Sequence, residues 1–397
     1  MWDRLTLERE LAELGAREFE VAPSSIGPFP ASPYTLRLDT TNKALRNCIT
    51  PVARDRHVSA LTGAVVDLTG NPTSPSYFGL NDNEMLYVGS LAKIYPMYAA
   101  FELKWRVQEH AKTMIKNGLS TATPGWERKV FAALSKAWQP KLNAAFPGLP
   151  QDFPKLAEIF VLSTRGDVKL AERDPPVTDA ELDTPVGGTS PQLKAPIGKF
   201  RDWMRLMLRW SNNAAAGKCI RALSYPYING ALAAAGFFDP LAKSGLWMSG
   251  DYRGNDWLSA DRAGQPLSRR WAGLQSRRVS NFTGTACQVA RFMTLLAQGR
   301  LVDRASSADM LRMMTGGSYI GEGLWQAKPR RDYSLARSKL GLGNDSSYHD
   351  CAIIRVDRAA APKKPIRYVS VVLGSLRTPA HLHKLAVAFH DCIVALH

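Results

Sequence analysis

Ser90 and Lys93 stand three residues apart in the stretch Tyr87-Val88-Gly89-Ser90-Leu91-Ala92-Lys93-Ile94-Tyr95. Residues at i and i+3 share one helix face, so this spacing sets an amine beside a hydroxyl. A serine is a poor nucleophile until a neighbouring base takes its proton, and a lysine does this when its amine is neutral. Burial and a second nearby cation both favour the neutral form. Leu91, Ile94 and Tyr95 around Lys93 predict burial, where an unpaired ammonium is expensive. The chemistry in view is covalent acyl transfer, with Ser90 as nucleophile and Lys93 as base. The pair alone is a short pattern that chance supplies, and a helix N-cap serine with a surface lysine is the structural alternative.

Acyl transfer also needs a proton route to the leaving group and donors for the developing oxyanion. Ser211-Asn212-Asn213 offers a hydroxyl to relay a proton and an amide to hold Lys93 and a substrate carbonyl. Lys339-Leu340-Gly341 offers the second cation. Lys339 and Gly341 project to one face of a strand by the period of two, and the missing side chain at Gly341 lets a substrate backbone approach. Loop capping for Ser211 and Asn213, and edge protection for Lys339, are the structural alternatives.

The elements that must position these residues are legible in outline. A strand at Thr62–Leu68 and a weaker one near Tyr77–Gly79 lead into the Ser90 helix, which is apolar nearly all round through Leu103 and so predicted buried. Pro96 within it predicts a kink or a very early helix start. Helices are predicted at Trp126–Trp138, Phe200–Trp210, Ala214–Leu223, Ala286–Gln298 and Ser307–Met314. Strand-like runs at Ser338–Leu342, Cys351–Val356 and Ile366–Leu373 precede a terminal helix at Leu382–Leu396. Strands at both ends with helices between imply an α+β fold, an antiparallel sheet of about five strands flanked by helices. The expected organisation is a lead-in at 1–60, with an amphipathic helix at 4–19 and then an extended Pro-rich segment. A sheet domain follows from 61–105 plus 335–397, and a mainly helical domain from 106–334 with an insertion at about 106–200.

The chain has 397 residues, 45% hydrophobic, with 51 Lys and Arg against 35 Asp and Glu. The +16 charge suits an anionic partner, but the basic residues are scattered and form no nucleic-acid-binding pattern, so a solvated basic surface is expected. No apolar run reaches the roughly 18 residues of a membrane span, and the first ten residues are charged where a signal peptide needs an apolar segment. A cytoplasmic location is expected if that N-terminus is native, a periplasmic or secreted one if it was trimmed. Cys48, Cys219, Cys287, Cys351 and Cys392 are widely spaced and odd in number, which predicts free thiols. His381 and His383, two apart on a helix, point to different faces, so no metal site is expected there.

The order Ser90-Leu91-Ala92-Lys93, Ser211-Asn212-Asn213, Lys339-Leu340-Gly341 resembles the SxxK, SxN and KTG signature of serine β-lactamases and penicillin-binding proteins. It is nearest to the class A β-lactamase type and covers about residues 61–105 and 200–395. The resemblance implies an oxyanion hole at the backbone N–H groups of Ser90 and Leu342, no cofactor or metal, and a small-molecule or peptide-like substrate. Leu340 stands where relatives carry Thr or Ser, and His349-Asp350 opens the next strand without the arginine some relatives use for a substrate carboxylate. Class A enzymes deacylate through a glutamate downstream of SxN, yet residues Ser211 to Gly321 contain none. Asp251 and Asp256 are the carboxylates within the run Ser249–Trp257, and their pattern assigns them no role. The expected function is a serine hydrolase working through a Ser90 acyl-enzyme on an amide or ester other than a standard penicillin. A D-Ala-D-Ala carboxypeptidase-like peptidase and a non-catalytic scaffold are the alternatives.

Overall fold

The computed structural model describes residues 28–29, 34–145, 152–178, 181, 198–239, 244–252, 282–314, 317–328, 333–343, 346–357 and 365–397. The amphipathic helix expected at 4–19, Asp256 and most of the 174–196 loop lie outside them.

The chain runs through α1 (Lys43–Ala53), β1 (Thr62–Asp67), β2 (Tyr77–Leu80), β3 (Leu86–Tyr87), a 3₁₀ turn (Gly89–Lys93) and α2 (Ile94–Lys116). There follow α3 (Trp126–Ala145), α4 (Leu156–Ile159), β4 (Phe160–Leu162), β5 (Val168–Leu170), α5 (Phe200–Arg209), α6 (Asn213–Leu223) and α7 (Tyr225–Ala234). Short strands β6 (Phe238–Asp239), β7 (Ser244–Gly245), β8 (Trp247–Met248) and β9 (Phe282–Gly284) lead to α8 (Ala286–Ala297), α9 (Arg304–Met313) and α10 (Tyr319–Ala327). Strands β10 (Ser334–Leu342), β11 (Ser347–Val356) and β12 (Ile366–Leu376) and helix α11 (Ala380–Ala395) complete the order.

The fold is α+β. Its main sheet has five antiparallel strands in the order β10-β11-β12-β1-β2, so strands distant in sequence meet where β12 pairs with β1. Period-two alternation divides the apolar residues between two cores. Ala64, Val66, Cys351, Ile353, Val369 and Val371 face the larger core with α2 and α8. Val65, Ala352, Ile354, Tyr368 and Val372 face the smaller core with α1, α10 and α11. Each fully buried Val, Leu or Ile contributes about 1.5–3 kcal/mol, so a one-residue slip in register would exchange both sets and cost far more than any local contact.

Helix starts follow capping chemistry. Side-chain oxygens of Asn42, Asn212, Thr285, Asp303 and Ser318 accept from the N–H of Leu45, Ala215, Gln288, Ser306 and Gly321. At α5 the Asp202 carboxylate accepts from the N–H of Lys199 and Arg173, and Arg201 forks onto Asp309 to tie α5 to α9.

Two expectations are corrected. Residues 20–60 are not extended throughout: α1 forms despite Pro51, because Asn42 caps it and Leu45 and Ile49 are buried in the smaller core. The cysteines are not all free, since Cys48 of α1 is bonded to Cys392 of α11 across 344 residues, leaving Cys219, Cys287 and Cys351 as thiols. Spacing along the chain carries no trace of that pair; only the packing of α1 against α11 brings it together.

Candidate active site

The Ser90 segment is a tight turn rather than the first turn of an α-helix. Gly89–Lys93 is 3₁₀, in which i and i+3 eclipse, and the α-helix begins at Ile94. Pro96 therefore falls in the first helical turn, where its missing N–H costs little. From Ile94 to Leu103 every residue of α2 is buried.

Three neighbours fix this turn. The N–H of Val88 donates to the carbonyl of Phe282 at 2.8 Å, and the Tyr95 hydroxyl donates to the carbonyl of Thr283 at 2.8 Å, pinning it to β9. On the other side it meets β10. A Cβ built on Gly341 would lie 2.3 Å from the Val88 oxygen and 2.9 Å from the Leu91 nitrogen. One on Gly89, whose φ is +51°, would lie 2.5 Å from the Leu342 oxygen. The absent side chain at Gly341 thus admits the Ser90 turn itself, a nearer occupant than the substrate backbone expected from sequence.

Ser211 lies in the bend between α5 and α6 with φ +54°, unusual for a residue with a Cβ. That conformation aims both its carbonyl and its hydroxyl at Lys93. The Lys93 amine lies 2.9 Å from Ser90 Oγ, 2.5 Å from the Ser211 carbonyl oxygen, 2.7 Å from Asn213 Oδ1 and 3.1 Å from Ser211 Oγ. Lys339 Nζ donates to Ser211 Oγ at 3.1 Å and to the Leu340 carbonyl at 2.8 Å. The structure therefore brings Ser90, Lys93, Ser211, Asn213 and Lys339 together, with Gly341 against the turn and Leu342, half of its surface exposed, at the rim.

Lys93 is fully buried, and burial, with the charge of Lys339 as the lesser cause, holds its pKa well below the ordinary lysine value. A neutral amine has two N–H groups and one lone pair. The Ser211 carbonyl and Asn213 Oδ1 can only accept, so both N–H groups are spent on them and the lone pair is left for the Ser90 hydroxyl. Lys339 is also pushed down, by burial, to about 8, partly offset by Cys351 and Asp350. It remains mostly an ammonium at neutral pH.

Two neighbours of the site were given no role by the sequence. Tyr252 sets its ring under the Lys93 amine, 4.4 Å from nitrogen to centroid, while its hydroxyl donates to the Gly89 carbonyl at 2.9 Å. A tyrosine far along the chain gives no local signal for such a contact. His349, opposite Gly341 in the ladder, accepts from the Gly374 N–H at Nδ1, so Nε2 carries the proton toward Ser347 Oγ at 2.7 Å. It braces the strand end beneath the site. Asp251, one of the carboxylates considered from sequence, is buried and paired with Arg221 of α6.

Among the described residues no cluster of three or more His, Cys, Asp or Glu could hold a metal ion, and no helix is long and apolar enough to cross a membrane. His381 stacks on His57 while His383 faces Glu322.

Among solved structures the chain is similar to the class A β-lactamase of the last common ancestor of Gram-negative bacteria, at 16% identity, with 89% of this chain and 100% of that one covered and a TM-score of 0.44. A β-lactamase from Chitinophaga pinensis is 12% identical over 89% of this chain and 99% of that one, with a TM-score of 0.47. A class A β-lactamase representative from Bacteroides cellulosilyticus is 12% identical over 90% and 99%, with a TM-score of 0.48. No curated protein matches the chain. The β-lactamase enzyme family model matches residues 153–361, a stretch that includes Ser211, Asn213, Lys339, Gly341 and Leu342 and begins after Ser90 and Lys93. With more than half of its length matched in this way, the chain belongs to the β-lactamase enzyme family.

Proposed function

We propose that the protein is a serine hydrolase that works through an acyl-enzyme at Ser90 on an amide or ester substrate. The observation that carries this reading is the 2.9 Å approach of a buried Lys93 amine, whose pKa that burial holds down, to Ser90 Oγ, with the Ser211 carbonyl and Asn213 Oδ1 placed to accept its N–H groups.

In the reaction so read, Ser90 Oγ forms a bond to the substrate acyl carbon as its proton passes to Lys93. Charge on the substrate carbonyl oxygen is met by the backbone N–H groups of Ser90 and Leu342. The bond from the acyl carbon to the leaving nitrogen or oxygen then breaks. A proton reaches that atom from Ser211 Oγ, which Lys93 replenishes and the Lys339 ammonium orients. In a second step water attacks the acyl carbon as its proton passes to Lys93, and the bond from that carbon to Ser90 Oγ then breaks as the proton returns to Ser90. Leu340 supplies no hydroxyl for a substrate carboxylate, and residues Ser211 to Gly321 hold no glutamate for activating water. Both features favour a substrate other than an ordinary penicillin and slow release of a penicilloyl group.

The test is incubation with benzylpenicillin and, separately, with a p-nitrophenyl ester, followed by acid quench and intact-mass measurement. The expected results are a lasting penicilloyl adduct and Ser90-dependent release of p-nitrophenol, both lost in Ser90→Ala. Neither adduct nor release, or either one persisting in Ser90→Ala, overturns the assignment.

A further inference from the structure

When Lys93 takes the Ser90 proton it becomes a buried ammonium, and among the described residues its amine meets no carboxylate. The charge that faces it among the described residues, Lys339, is of like sign. A cation forming in such a place needs a counterpart, or the barrier to proton transfer rises by the cost of burying it. The ring of Tyr252 is placed to be that counterpart, because an aromatic face carries the negative part of the ring quadrupole and attracts a cation within about 6 Å of its centroid.

The backbone is committed to this placement. Tyr252 has φ +62°, a region costly for a bulky side chain, and such strain persists only where the surroundings impose it. They do so from three sides. Asn229 of α7 bonds both backbone groups of Met248, at 2.7 Å and 3.0 Å, and Arg221 of α6 pairs with Asp251. The Tyr252 ring stacks on Phe282 with centroids 4.0 Å apart and planes 6° from parallel. Phe282 is the residue whose carbonyl receives the Val88 N–H, and the Tyr252 hydroxyl closes the circuit on the next carbonyl, that of Gly89. One side chain thus touches the base through its face and the nucleophile turn through its hydroxyl.

Building on the acyl-transfer reading above, we infer that Tyr252 is a positioning residue whose ring face stabilises Lys93 in the protonated state it reaches as Ser90 is acylated, the part a carboxylate would otherwise play. The groups facing Lys93 are Ser90 of the 3₁₀ turn, Ser211 and Asn213 at the start of α6, Lys339 of β10 and Tyr252 itself. Burial lowers Lys339 to about 8 and holds Lys93 well below the ordinary lysine value, while burial, reinforced by Tyr87 and Tyr95, pushes the Tyr252 hydroxyl far up.

Fluorination isolates the ring face from its shape. The experiment sets phenylalanine and its mono-, di- and trifluoro analogues at this position in the full chain, taking Tyr252→Phe as the reference. It reads the Lys93 titration midpoint by NMR of isotopically labelled lysine, the signal being assigned by its loss in Lys93→Met. A fluorophosphonate supplies the second readout, the rate of Ser90 labelling. The expected result is a stepwise fall of the Lys93 midpoint by about 0.4–1.5 units across the series, with labelling slowed about 2- to 30-fold in parallel. Fluorinated tyrosines, which keep the hydroxyl, repeat the series if Tyr252→Phe is unstable. A flat midpoint with labelling intact overturns the role of Tyr252 alone. A falling midpoint in a protein that no fluorophosphonate labels upholds the ring contact and overturns the acyl-transfer reading.

Discussion

Gly341→Ala tests whether the site depends on the close approach of β10 to the serine turn. The added Cβ would lie 2.3 Å from the Val88 oxygen, 2.9 Å from the Leu91 nitrogen and 3.1 Å from Leu91 Cβ. The first two are backbone atoms flanking Ser90, so no rotamer change relieves the overlap. Turn and strand must separate by about 1 Å to restore ordinary contact, and overpacking of this kind costs about 1–3 kcal/mol. A displacement of that size at reacting groups costs on the order of 100-fold in rate. Fluorophosphonate labelling of Ser90 should therefore slow by that order while urea unfolding shows only the modest loss of stability. Gly70→Ala is the control: its Cβ finds nothing nearer than Asp67 Oδ2 at 3.5 Å, so both measurements should match the parent. Parental labelling in Gly341→Ala would refute the argument that this approach sets the nucleophile's position.

Two further outcomes follow from the buried charges. Labelling should decline above about pH 8 as Lys339 loses the proton that lets it orient Ser211, and Lys339→Met should abolish that alkaline decline along with part of the rate. Asp350, which accepts from the Ser318 hydroxyl and the Ile320 N–H, has its carboxyl pushed by burial from 3.8 to about 7. The folded state then binds a proton that the unfolded state has released, so this group's contribution to stability is lost as pH rises through that window. Asp350→Asn should flatten the corresponding slope in urea unfolding, and an unchanged slope would remove Asp350 as its source.

What the sequence disclosed follows from how local each signal is. Strands β1, β11 and β12 were legible because alternation and β-branched residues mark a buried sheet, the Ser338–Leu342 end of β10 by alternation alone, and α5 because Phe200, Trp203, Met204 and Met207 repeat at helical spacing. Residues of the three motifs were legible as types at spacings, and the structure adds the distances between them. The 3₁₀ form of the Ser90 turn was not, since i, i+3 proximity serves either helix. Short strands β3, β8 and β9 escaped because two or three residues carry no period. Tyr252 under Lys93, Cys48 bonded to Cys392 and Gly341 against Val88 are contacts between segments far apart in the chain, and no window of sequence contains both partners. Gly341 was singled out for the right property, its missing side chain, with the nearer occupant hidden.

The proposed reaction turns on one proton, the one that would pass from Ser90 to Lys93. Its most direct test is the rate of fluorophosphonate labelling followed by intact mass, with the adduct mapped to its peptide, in the parent, Ser90→Ala and Lys93→Met. The expected result is a single adduct on Ser90, none in Ser90→Ala, and labelling slowed about 10²- to 10⁴-fold in a folded Lys93→Met. An adduct elsewhere, or parental labelling in Lys93→Met, would contradict it.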